Sequence, residues 1–259
     1  MIELNLFLRK TKQAVSAERL SAYQQSPQES NLTMLSRYFW NVALCEALYP
    51  TLQSLEVALR NSMHKSFSTQ LGDEWWLHED MRVIESDDVD YVLQARQRVR
   101  EKGKPETIDH VVAELPFGFW TALFDSRYEQ KLWTKNVKTV FPYVPRQHRF
   151  RAALAEDIHK LRKLRNRAFH HEPIWNRNNL RDLYMRSQDL ISWINPGLAS
   201  MNLAMDRFHG VLISGHQPFE DMLKGCAQSF PEDGFDSPYS SDEELPEDQN
   251  VNQPEGETP

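Results

Sequence analysis

Residues 163–173 read KLRNRAFHHEP and bring Arg165, Asn166 and His170 within one short stretch. On a helix Asn166 and His170 stand four apart and share a face, and the long side chain of Arg165 can reach the same anion. An imidazole near neutral pKa takes or gives a proton, a guanidinium stabilises a pentacoordinate phosphate, and an amide orients either without titrating. This set suits RNA cleavage by the ribose 2′-hydroxyl, which needs no metal, no cofactor and no protein nucleophile. The competing reading is that Asn166 and His170 finish a helix and bond its last carbonyls.

The surrounding residues 146–171 hold eight Lys or Arg against Glu156 and Asp157, so one side of the helix reads as basic. Arg162, Lys163 and Arg167, nearest the set, are candidate RNA contacts; an ordinary solvated face is the alternative. His148, His159 and His170 recur every 11 residues but would lie about 16 Å apart along a helix, too far to share one ion. His171-Glu172 resembles the start of a zinc-protease motif, yet Trp175 stands where its second His belongs. The residues therefore predict no metal site and no cofactor.

Arg60, Asn61 and His64 form a second Arg-Asn-x-x-His set, with Arg60 and His64 on one face and within reach of a phosphate. The alternative is a polar face beside the apolar stripe of Leu55, Leu59 and Met63, so these are possible substrate contacts. Trp75-Trp76 could stack on bases or pack between helices. Cys45 and Cys226, the two cysteines, read as small apolar fillers.

The elements that must position these residues read as helices. Glycines number nine, apolar residues recur at three and four residue steps, and strand signals are almost absent. A helix pair is predicted over 30–71 with Pro50 in the first turn of the second member. An amphipathic helix ends at Gly103, and residues 107–124 read as a buried helix pair broken near Pro116. The stripe Phe150, Leu154, Ile158, Leu161, Leu164 and Ala168 predicts a long helix over 146–170. Helices over 178–194 and 198–212 follow, the first capped by Asn176. The expectation is an all-α bundle of seven to nine helices.

The chain has 259 residues and a net charge of −7. Residues 231–259 contribute ten Asp or Glu and no Lys or Arg, so the other 230 residues carry 30 basic and 27 acidic side chains. The division predicted is an N-terminal extension (1–29), a helical domain (30–228) and a disordered acidic tail (229–259). No apolar run approaches the roughly 20 residues needed to cross a bilayer, and the N-terminus lacks the order of a signal peptide, so a cytoplasmic protein with no membrane partner is expected.

Arg165-Asn166-x-x-x-His170 resembles the Arg-x(4 to 6)-His motif of HEPN-domain ribonucleases, and LRNRAFHHEPIW is similar to the signature of their Abi-like, abortive-infection branch. LEVALRNSMH at 55–64 and LPFGFWTALF at 115–124 resemble the same branch, in the same order. The resemblance covers roughly residues 30–195. It implies an all-helical HEPN-like fold, a homodimer whose two motifs meet in one cleft, and metal-independent endoribonuclease activity. It also implies a role in phage defence or as the toxin of a toxin-antitoxin pair, with an antitoxin protein as partner. Under it Arg165 and His170 are catalytic, Asn166 supports them, and His171 rivals His170 because a gap of five also fits. Many relatives only bind, so a non-catalytic helical module for RNA or a partner protein is the alternative.

Overall fold

The computed structural model describes residues 2–78 and 86–230. Among these there are twelve α-helices and no strand: α1 (Ile2–Val15), α2 (Ala17–Ser21), α3 (Asn31–Leu71), α4 (Ser86–Glu101), α5 (Ile108–Glu114), α6 (Phe117–Ala122), α7 (Thr134–Val140), α8 (Arg151–Phe169), α9 (Leu180–Ile194), α10 (Pro196–Ala204), α11 (Phe208–Ser214) and α12 (Gln217–Gln228). The all-α expectation holds, but the count exceeds seven to nine. The expectation for the acidic tail falls almost wholly outside the described residues.

The largest correction concerns α3, which is one 41-residue helix rather than a pair. Pro50 lies inside it. A proline removes one backbone bond and crowds the carbonyl four residues earlier. Here Leu44, Ala47 and Leu48 before it and Thr51, Leu52 and Leu55 after it are all buried on the same core, so packing carries the helix through. At about 1.5 Å per residue α3 is an axle of roughly 60 Å, against which α1, α6, α7, α8, α9, α11 and α12 pack.

Other boundaries moved for local reasons. The long helix begins at Arg151, after a 3₁₀ turn over Arg146–His148, and Phe150 is its exposed N-cap rather than a stripe residue. Leu154, Ile158, Leu161, Leu164 and Ala168 are buried as expected. The helix expected over 198–212 is split into α10 and α11, because the Asp206 carboxylate accepts from Phe208 N at 2.9 Å and starts a new helix there. Asn179, not Asn176, is the N-cap of α9. The break near Pro116 falls where predicted, with Pro116 as N-cap of α6.

The main core runs along α3 and includes Trp75, Trp120, Trp133 and Tyr184. A smaller second core joins Leu8, Leu20 and Tyr23 to Met34, Leu35 and Leu223. Residues 2–23, read as an extension, thus pack on the first turns of α3 and on α12. Among the described residues no helix is long and apolar enough to cross a membrane.

Candidate active site at the end of α8

Arg165 sits beside the buried stripe of α8, about 40° from Leu161 around the helix, so its stem is half covered and its head reaches the surface. Three contacts hold that head. Arg165 Nε donates to Glu56 Oε2 on α3 at 3.1 Å, the guanidinium lies 4.4 Å from the Phe169 ring centre, and Nη1 donates to Asn166 Oδ1 at 3.4 Å. Phe169 in turn stacks on Tyr49 of α3, with centroids 5.3 Å apart and planes 21° from parallel. A column of Tyr49, Phe169 and Arg165 therefore aims the guanidinium, and its second Nη carries N–H groups that a phosphate could take.

His170 is the C-cap of α8, and its backbone N–H donates to Asn166 O at 2.9 Å. The chain then closes a Schellman turn: His171 N donates to Ala168 O at 3.3 Å and Glu172 N to Arg167 O at 2.8 Å. His171 occupies the left-handed position of that turn, φ 58°, where glycine is usual. The apolar contact that commonly accompanies this turn is replaced by the Arg167–Glu172 ion pair at 3.4 Å, and Arg167 Nε also donates to Pro173 O at 3.2 Å. Two anchors fix the turn to the body. Asn41 Oδ1 on α3 accepts from Ile174 N at 2.7 Å and Trp175 N at 3.1 Å, and Arg19 Nη1 on α2 donates to His171 O at 2.9 Å.

The structure therefore gathers Arg165 and Asn166 by direct contact and leaves Asn166, His170 and His171 exposed at one helix end. No hydrogen bond of the described residues reaches either imidazole. Arg167 belongs to the turn itself. Arg162 lies on the same flank as Asn166, against α6 at Gly118, whereas exposed Lys163 lies further round, and neither has an ion pair among the described residues.

The basic helix is less charged than its sequence suggests. Arg151, Lys160, Arg165 and Arg167 are paired with Glu129, Glu156, Glu56 and Glu172. On the Arg162 flank a groove of about 560 Å³ holds Arg127, Arg151, His159 and Arg162 with Asp125 and Glu156. Burial, then the charges of Lys163 and Arg162, hold the His159 imidazole below its ordinary range, so it is neutral at pH 7. His148 stacks on Trp193 at 5.0 Å, away from the other histidines. Among the described residues no three His, Cys, Asp or Glu side chains converge on a point that could hold a metal ion.

Within the second set His64 is absorbed into packing, while Asn61 stays exposed. His64 Nδ1 accepts from the Trp75 indole N–H at 3.2 Å, its ring stacks on Trp76, and burial lowers its pKa. Arg60 donates to Asn61 Oδ1 at 3.2 Å and to Ala113 O at 3.4 Å. Trp75 and Trp76 are buried at 0% and 3% exposure, which closes them to base stacking. Cys45 is half-buried, as a filler should be, but Cys226 is exposed. Glu56 and Tyr49 were missed by sequence reasoning, because a contact between residues more than 100 apart leaves no local signal; Phe169, four residues after Arg165 on one helix face, did carry such a signal.

Comparisons with protein-family models, with curated proteins and with solved structures give no match to this chain.

Proposed function

We propose that this chain is a metal-independent endoribonuclease of the HEPN type, from the Abi-like branch that its three sequence stretches resemble. The observation that carries the reading is the end of α8, where a half-buried Arg165, aimed by Glu56 and Phe169, stands beside Asn166 and one turn before an exposed His170. A phosphate of RNA would take the open Nη groups of Arg165. His170 would draw the proton from the 2′-hydroxyl or give one to the leaving oxygen, and Asn166 would orient either group. The two oxygens lie on opposite sides of phosphorus in an in-line reaction, so a second imidazole is needed. A homodimer with the two α8 ends facing would supply it. The cellular role that fits is cytoplasmic phage defence, or the toxin of a toxin-antitoxin pair held by an antitoxin protein.

One observation favours a second reading, a non-catalytic module for RNA or a partner protein. Arg165 already has a carboxylate partner, and neither His170 nor His171 has a group to orient its ring. Incubating the purified chain with RNA and analysing the ends separates the two. The enzyme leaves 2′,3′-cyclic phosphate and 5′-hydroxyl ends and keeps working in EDTA, because acid, base and cation all come from side chains. Products with 5′-phosphates, or activity that EDTA abolishes, would contradict this mechanism; binding without cleavage would leave the module.

A further inference from the structure

A second groove, of about 470 Å³, opens where α7 meets the start of α8. Lys135, Lys138, Arg149 and Arg151 stand around it with a single carboxylate, Glu129, which is paired with Arg151 at 3.0 Å. Lys135, Lys138 and Arg149 have no ion pair among the described residues. Arg149 Nε donates to Val144 O at 3.0 Å, which fixes the stem and leaves the Nη groups for a ligand. Like charges gathered on one groove repel, so the cluster costs stability until a polyanion neutralises it. Phe150, 62% exposed, lies on the wall of the same groove. Arg151 also lines the groove on the Arg162 flank, so the two grooves meet at its side chain. From there Arg151, Ala155, His159, Arg162 and Asn166 follow at steps of three or four and keep one side of α8 up to the turn at His170. Of the carboxylates beside this path, Glu156 is taken by Lys160 and Asp125 lies 4.0 Å from Arg127. Arg162 has no ion pair among the described residues.

We propose that the two grooves form one track for a single RNA strand leading to the end of α8, with phosphates on Lys135, Lys138, Arg149 and Arg162 and one unpaired base stacked on Phe150. The proposal takes RNA as the ligand from the endoribonuclease reading and adds where the strand runs. Charge alone would suit any polyanion, and the ring narrows the choice. Carboxylates of an acidic peptide would meet the cations but leave the Phe150 ring in water, whereas a base stacks on it. In a duplex the base faces are already covered, so the strand that uses this ring is unpaired. From Phe150 to His170 the axis of α8 covers roughly 30 Å, about nine nucleotides at the 3.4 Å spacing of a stacked strand and fewer when the strand is extended. A strand much shorter than that cannot touch both ends.

The test uses the full chain with His170→Ala, so that RNA is not consumed. Binding is measured at several salt concentrations to single strands of about 4 and about 12 nucleotides, to a duplex of the longer length and to a poly-glutamate peptide. The longer strand should bind at least about 10-fold tighter than the shorter strand or the duplex, since it alone reaches the whole track with its bases free. Lys135→Gln combined with Lys138→Gln should weaken the longer strand and flatten its log–log salt slope by about 1.4, two phosphate contacts at roughly 0.7 each. Phe150→Ala should weaken it about 5-fold or more, and Phe150→Trp should keep the affinity because the base needs only a ring. Lys135, Lys138 and Phe150 are all exposed, so these substitutions leave the core untouched. No binding of the longer strand, binding unmoved by the lysine pair or by Phe150→Ala, or equal binding of the duplex would overturn the proposal. So would a poly-glutamate peptide that binds as tightly as the strand, which would give the surface to an acidic protein. Because cleavage is absent from every arm, failure here leaves the end-group result with the unaltered chain to decide the enzyme reading by itself.

Discussion

The chain carries two sets of the same composition, Arg-Asn-x-x-His at 60–64 and Arg-Asn-x-x-x-His at 165–170, and the structure uses them differently. Arg60, Asn61 and His64 lie inside α3, before its last two turns, where the chain that follows the helix lays Trp75 and Trp76 against His64. His64 becomes an acceptor for an indole and titrates low. Arg165, Asn166 and His170 lie in the last turn of α8, where no further element covers them and only Arg165 is held. A polar set in a helix interior is available to any element that packs across it, whereas one at a helix end keeps its exposure. Position along the element, more than residue type, separates a packed histidine from a candidate catalytic one.

The two sets should therefore fail in different ways when altered. His170→Ala and Arg165→Ala should each lower RNA cleavage by about 100-fold or more with the melting temperature nearly kept, because they remove proton transfer and charge stabilisation. His64→Ala should do the opposite, costing about 1–3 kcal/mol of stability by stranding the Trp75 indole N–H, with cleavage by the surviving folded protein retained. Denaturant melts read beside an RNA assay decide it. If His64→Ala abolishes cleavage at full stability, the comparison is broken and the first set takes part in the chemistry.

The turn offers a smaller effect. His171→Gly should raise stability by about 1 kcal/mol, since glycine adopts φ 58° without a Cβ penalty. The gain is net of any contact its imidazole makes, and chemical denaturation measures it. A loss of stability would mean that the side chain holds the turn from its own position, and that the Arg19 and Asn41 anchors are not enough.

The smallest effect is a pH slope. Burial holds the folded His64 pKa below its unfolded value of about 6.5, so the unfolded chain binds the extra proton first. Stability from this group is complete above pH 6.5 and declines as pH falls from there through the lowered folded value. His64→Gln, which keeps an acceptor for the indole and cannot titrate, should flatten the slope between the wild-type and variant stability curves in that window. Parallel curves would show that the ring takes up its proton as readily in the folded as in the unfolded chain and that the packing description is wrong.

The sequence by itself determined the helical character, the buried stripe of α8 and the break at Pro116, because each depends on neighbours within four or five residues. It also placed Arg165, Asn166 and His170 together, since a helix turn brings such spacings side by side whatever else the chain does. Only the tertiary structure decided that Pro50 is carried inside one helix, because six buried side chains around it outweigh a single lost backbone bond. It alone decided that Glu56 faces Arg165, that Trp75 claims His64, and that residues 2–23 wall a pocket beside the α8 turn. Those contacts join residues far apart in the chain; they follow from how whole helices pack, a sum over many side chains that no short stretch contains.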